Sequence, residues 1–129
     1  MKRDMDTIRE MMLYFEETLK PGGSIQSTDL SSFYDAHNDD SYREMAAHVN
    51  LLAESGLIDA PLQNMRGFKI YMINRITTKG HDFLDALRSD SVWNSVKSKA
   101  TAAGGFTVSM LVDLGKEYLK QQLGLTDAK

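Results

Sequence analysis

Apolar positions along the chain repeat with two different periods. Ile8, Met11, Met12, Phe15 and Leu19 recur three and four residues apart. That spacing predicts a helix over residues 4–19 with one core-facing stripe. Lys20-Pro21-Gly22-Gly23 ends it, since proline cannot continue a helix and glycine relieves the turn. The helical period returns in YREMAAHVNLLAESGL at Tyr42, Met45, Ala46, Val49, Leu52 and Ala53. Gly56 follows, where a left-handed residue stops a helix at little steric cost. Asp39, Asp40 and Ser41 precede it as N-cap candidates that suit the helix dipole. The period then changes. FKIYMINRI, residues 68–76, is rich in β-branched and aromatic residues. It alternates in part, with Phe68, Ile70 and Met72 against Lys69, Tyr71 and Ile73, and predicts a strand. Paired with the short stretch 57–60, it makes a hairpin whose tip lies near residues 64–67.

Three further helical stretches follow. Thr77 or Thr78 caps one that carries Phe83, Leu84 and Leu87. Val92, Trp93 and Val96 mark another, reaching about Ala103, and Gly104-Gly105 breaks the chain after it. Val108, Leu111, Val112, Gly115, Tyr118 and Leu119 lie along one side of the last. Residues 24–38 are the least regular. A short helix capped by Ser27 or Thr28 is expected there, running through Leu30, Phe33, Tyr34 and Ala36.

A helix, a glycine stop and a two-stranded ribbon is the order in which a winged helix-turn-helix presents its recognition helix and wing. The predicted fold is therefore α+β, mainly α, a winged helix-turn-helix with a two-stranded wing and a C-terminal helical extension. Residues 1–88 form the winged helix-turn-helix domain in this reading. Residues 89–129 form C-terminal helices, packed on that domain or making a dimer contact.

Composition narrows the setting. The 129 residues include no cysteine, which removes disulfides and thiolate metal sites. No apolar run approaches the roughly 20 residues of a membrane span. The charged start MKRDMD does not read as a signal peptide. A cytoplasmic location without a membrane partner is expected. Charge is unevenly spread. Residues 1–60 carry 5 basic and 12 acidic side chains, and residues 61–129 carry 10 and 6. Such asymmetry suits a charged partner on one side of the molecule. Between Pro61 and His81 stand Arg66, Lys69, Arg75 and Lys79 with no acidic residue, so the wing is basic.

The central helix is not. With Val49 at the middle of the buried face, Arg43, Glu44, Ala47, Leu51 and Glu54 point outward, with His48 and Asn50 on the flanks. Arg43, His48 and Asn50 are candidates to touch bases or phosphates. Glu44 and Glu54 would face the phosphate charge, with Asp39 and Asp40 at the helix start. His48 borders the buried face, where a hydrogen-bonded structural histidine is the commoner role. The candidate DNA-binding set is therefore Arg43, His48 and Asn50 on the helix and Arg66, Lys69 and Arg75 on the wing. The competing reading of the wing charges is that they keep an edge strand from pairing.

Asp35, His37, Asp39 and Asp40 include metal-ligand types but lack the spacing of a calcium loop, so a capping turn fits them better. The chain has no nucleophile elbow, P-loop, zinc-protease helix or dinucleotide fingerprint. Neither enzymatic activity nor a cofactor or metal is expected.

Four blocks of the chain taken together resemble a known family. They are MKRDMDTIRE, HVNLLAESGLI, ITTKGHDFLDALR followed by SVWNSVK, and AAGGFTVSMLVDLGKEYLKQQLGL. The resemblance is to the domain-of-unknown-function 2513 family of bacteria, phages and prophages. It implies a winged-helix fold and a mobile-element or bacterial cytosolic setting, and it carries no site residues. Two functions fit. One is a small winged-helix protein that binds double-stranded DNA, as a phage or prophage transcriptional regulator would. The other is a winged-helix module that binds a protein partner and not DNA, such as a phage-encoded inhibitor of a host nucleic-acid-binding protein. Both allow a homodimer, through the last helix and Gly115.

Overall fold

The computed structural model describes residues 4–124. Helix α1 (Met5–Thr18) leads to strand β1 (Ile25–Gln26) and two 3-10 turns, Ser27–Asp29 and Ser31–Phe33. Helix α2 (Asp39–Glu54) precedes strands β2 (Ile58–Asp59), β3 (Leu62–Met65), β4 (Phe68–Ile73) and β5 (Arg75–Ile76). Helices α3 (Thr78–Leu87), α4 (Asp90–Ala102) and α5 (Val108–Gln122) complete an α+β, mainly helical chain. It divides at Gly80 into two compact units.

In the first unit the expected core stripes are buried. Ile8, Met11, Met12 and Phe15 of α1 are fully covered, as are Val49 and Leu52 of α2. Asp4 caps α1, its carboxylate accepting from the amides of Asp6 and Thr7. The cap of α2 is Asn38, one residue ahead of the expected candidates. Its side-chain oxygen accepts from the amides of Asp40 and Ser41. Asp39 and Asp40 sit in the first turn, where they still meet the positive end of the dipole. Asp35 and Ser41 fold the preceding turn. Asp35 accepts from the His37 amide, and its own amide donates to Ser41 Oγ.

In place of the expected short helix, residues 25–33 form a two-residue strand and the two 3-10 turns. Strand β1 pairs antiparallel with β4, Ile25 opposite Ile73 and Gln26 opposite Met72. The strand order is β1-β4-β3, and β2 pairs separately with β5. The hairpin register runs from Leu62 opposite Tyr71 to Met65 opposite Phe68. Its two-residue loop, Arg66-Gly67, has φ of +54° and +81°. Both residues are left-handed, as a tight hairpin with native twist requires.

The end of α2 and the start of α3 are tied in one knot. Gly56 has φ +79°. The Thr77 hydroxyl donates to the Gly56 carbonyl, and the Thr77 amide donates to Leu57 O at 3.0 Å. Thr77 Oγ1 in turn accepts from the Gly80 amide, capping α3. A Cβ on Gly80 would lie 2.1 Å from Leu57 O, closer than any real contact, so only glycine fits.

In the second unit Phe83, Leu84, Ala86 and Leu87 of α3 are buried, as are Val92, Trp93 and Val96 of α4 and Val108, Leu111 and Val112 of α5. A Cβ on Gly115 would meet Leu87 Cδ2 at 2.7 Å and Ala86 Cβ at 3.0 Å. The close approach that Gly115 permits is thus made within the chain, between α5 and α3. Residues 81–87 of α3 thus belong with α4 and α5 in the second unit.

Two stability measurements check this account. Gly80→Ala must push the Leu57 carbonyl aside and should cost on the order of 3 kcal/mol in urea unfolding. Gly115→Ala meets side chains that can move and should cost less, about 1 kcal/mol.

A groove between helix α2 and the hairpin as candidate functional site

A buried hydrogen-bond chain holds the hairpin to α2. Ser27 is fully buried and Tyr42 nearly so. The Tyr71 amide donates to Ser27 Oγ at 2.9 Å, and the Tyr42 hydroxyl donates to the Lys69 carbonyl at 2.9 Å. Ser27 Oγ and Tyr42 Oη are 2.9 Å apart. With both ends assigned, the Ser27 proton must go to Tyr42, and every group in the chain is satisfied. Phe68 stacks on Tyr42 with ring centroids 4.9 Å apart and planes 21° from parallel. Tyr34 meets the Tyr42 ring edge-on at 5.0 Å.

Beside this stack a groove of 470 Å³ opens between α2 and β4. Ala46 and Ala47 keep its helix side open, and Tyr42, Phe68 and Tyr71 give it aromatic walls. Asp39, Arg43, Asn50 and Lys69 supply polar groups to its lining. A smaller recess of 160 Å³ adjoins the same stack, next to Tyr34 and Asp35. Burial, with the nearby Glu54 and Tyr42 adding to it, raises the Tyr71 phenol above its ordinary pKa.

The six candidate contact residues separate in this geometry. Arg43, Asn50 and Lys69 line the groove. His48 is withdrawn from the contact set. It is 6% exposed, Nε2 accepts from the Asp4 amide at 3.1 Å, and Nδ1 lies 2.8 Å from the Glu44 carbonyl. A ring nitrogen that accepts from an amide is unprotonated, so Nδ1 carries the hydrogen. His48 is a neutral structural link between the start of α1 and the middle of α2. Ala47 and Leu51, expected to face outward, are half-buried.

Charge pairing divides the rest. Arg43 meets Asp40 at 3.3 Å, and Asn50 donates to Glu54 at 2.7 Å, so both of these groove-lining polar side chains are already engaged within α2. Arg75 approaches Asp59 at 4.0 Å, directly across the β2–β5 pair. Arg66 and Lys69 make no ion pair among the described residues. Every residue of β3 is exposed, as are Arg66, Gly67, Phe68 and Lys69, so the hairpin end stands out into solvent.

The sequence reading missed Ser27, Tyr42, Tyr71 and Phe68 as site-builders. Tyr42 read as core, Tyr71 and Phe68 as opposite faces of a strand, and Ser27 as a cap. The one available signal was Tyr42 on the predicted helix and Phe68 and Tyr71 on the predicted strand, two aromatic-bearing elements close in sequence.

The geometry therefore defines a class: a mainly helical α+β chain whose aromatic-walled groove lies between one helix and a projecting hairpin. Comparison with known proteins gives the family. A family model described as "Hypothetical protein (DUF2513)" matches residues 2–106, and the chain belongs to that family. It is also 31% identical over 121 residues to a Haemophilus influenzae protein described as "Uncharacterized protein", covering 94% of this chain and 91% of that one. No solved structure matches it.

The hairpin turn carries a measurable strain. Arginine in the left-handed region costs about 1–2 kcal/mol relative to glycine, whereas asparagine tolerates it well. Arg66→Asn should stabilise the protein by about 1 kcal/mol in chemical unfolding. Tyr42→Phe should destabilise it by about 1–2 kcal/mol, because it leaves Lys69 O and the Ser27 hydroxyl proton without partners.

Proposed function

We propose that the first unit is a winged helix-turn-helix and that the protein binds double-stranded DNA chiefly through its hairpin. The strand order β1-β4-β3, with α2 entering the hairpin through a glycine stop, supports the fold assignment. One observation carries the function. Arg66 and Lys69, which make no ion pair among the described residues, stand on the projecting hairpin, while Arg43, the arginine of α2, is held by Asp40. Phosphate neutralisation by unpaired lysine and arginine is the main source of duplex affinity. Ion-paired Arg43 must first leave Asp40, and Asp39, Asp40 and Glu44 would oppose the approach of α2 to phosphate. The wing thus makes the first contact and α2 a secondary one, through Arg43 and Asn50.

A second reading draws on a different observation. Leu62, Met65 and Phe68 are 46%, 57% and 47% exposed. Apolar surface of that kind also serves protein partners, so the same hairpin and groove would then dock a protein instead of DNA.

Titration of a labelled mixed-sequence duplex at low salt separates the two. The expected result is binding whose logarithm falls linearly with the logarithm of salt concentration. Arg66→Glu and Lys69→Glu should each weaken it by about tenfold and flatten the slope, and Arg75→Glu should do so less because Asp59 already pairs that cation. Absence of salt-dependent binding excludes the DNA reading.

A further inference from the structure

We infer that the hairpin tip is an apolar wedge that enters the minor groove and kinks the duplex at one base step. This rests on the duplex-binding reading and names how that site would act. Met65 and Phe68 face each other across the last rung of the β3–β4 ladder, on one face of the hairpin. They are 57% and 47% exposed, beside a loop of two residues. Cations bracket them, Arg66 in the loop and Lys69 next along β4, and neither is paired among the described residues. Apolar side chains flanked by arginine and lysine are what proteins insert between base steps of a narrow groove.

A wedge works only if it does not fold back when pushed. This one has an abutment. Met65 lies beside Phe68, Phe68 stacks on Tyr42, and Tyr42 is bonded to Lys69 O and to Ser27 inside the core. The load path from the tip therefore ends in α2 and the 3-10 turn, both behind the groove. Charge complementarity selects DNA as the occupant. The tip has two cations and no acidic residue from Pro61 to His81, and the polyanion it would enter supplies the opposite charge.

The test is the end-to-end distance, by energy transfer, of a short duplex with a central TA step, a step that kinks easily. The full chain should bend it by an angle on the order of 20–90°. Met65→Ser, at an exposed site where folding should not depend on it, should bind about tenfold more weakly and lose the bend at saturation. Arg66→Gln should also weaken binding and reduce its salt dependence, yet keep the bend once saturated. Binding without a bend, or an unchanged bend in Met65→Ser, overturns the wedge and leaves the DNA reading standing. Failure to bind the duplex at all overturns both. Capture by anionic phospholipid vesicles that Met65→Ser abolishes, with duplex bending unaffected by that change, also overturns the wedge and assigns the tip to lipid.

Discussion

Four groups in a row, Tyr71 N–H, Ser27 Oγ, Tyr42 Oη and Lys69 C=O, decide where the hairpin stands. A two-stranded ribbon is marginal by itself in water. Here β4 leans on β1 on one side and on α2 through this chain. Each hydrogen bond contributes about 1 kcal/mol net, but an unpaired buried group would cost more, so the arrangement is close to all-or-none. The Phe68–Tyr42 stack adds roughly 0.5–1.5 kcal/mol and extends the support to the hairpin tip. The groove between α2 and β4 is the space these contacts leave open.

A second constraint fixes the hairpin's base. The strands leave α2 through Gly56 and return to α3 through Thr77 and Gly80. Leu57 O sits where a side chain on Gly80 would be, so the exit and the return of the ribbon are locked together within a few atoms. With its base pinned there and its middle pinned at Tyr42, the ribbon is held through β4, while β3, the loop and the start of β4 stay open to solvent. Strain is concentrated in that same loop, where Arg66 occupies a conformation that suits glycine or asparagine. A residue kept against its backbone preference is a pointer to use, and its guanidinium is one of two hairpin cations without an ion pair among the described residues.

Much of the fold was legible in the chain. The stripes of α1 and α2 repeat at a helical period, and period alone identified their buried faces. The Gly56 stop followed from glycine's tolerance of left-handed φ, and the loop near Gly67 from pairing a strand back on the stretch before it. Strand β1 was not legible, because two residues, Ile25 and Gln26, give no period to read. They are a strand only because β4 is there to pair with them. The hairpin's inner face was likewise ambiguous, since Ile70 and Met72 are as apolar as Tyr71 and Ile73. Tyr71 and Ile73 are the buried pair, a choice made by the helix opposite and not by hydropathy.

The site divides along the same line. Cations on the hairpin could be counted from the sequence, but their pairing could not. Arg43 and Arg75 look equivalent to Arg66 in composition, yet Asp40 lies one helical turn from Arg43 and Asp59 lies across a strand pair from Arg75. Exposed pairs of this kind contribute little to stability, about 0–1 kcal/mol. A pair of this kind sets a condition on any anionic partner, which would have to displace the internal carboxylate before it gained the cation. The cations of the hairpin end, Arg66 and Lys69, have no such carboxylate among the described residues. His48 makes the same point in reverse. Its border position left a structural role as the commoner reading and a contact role open, and the amide of Asp4, forty-four residues away in sequence, occupies one of its ring nitrogens.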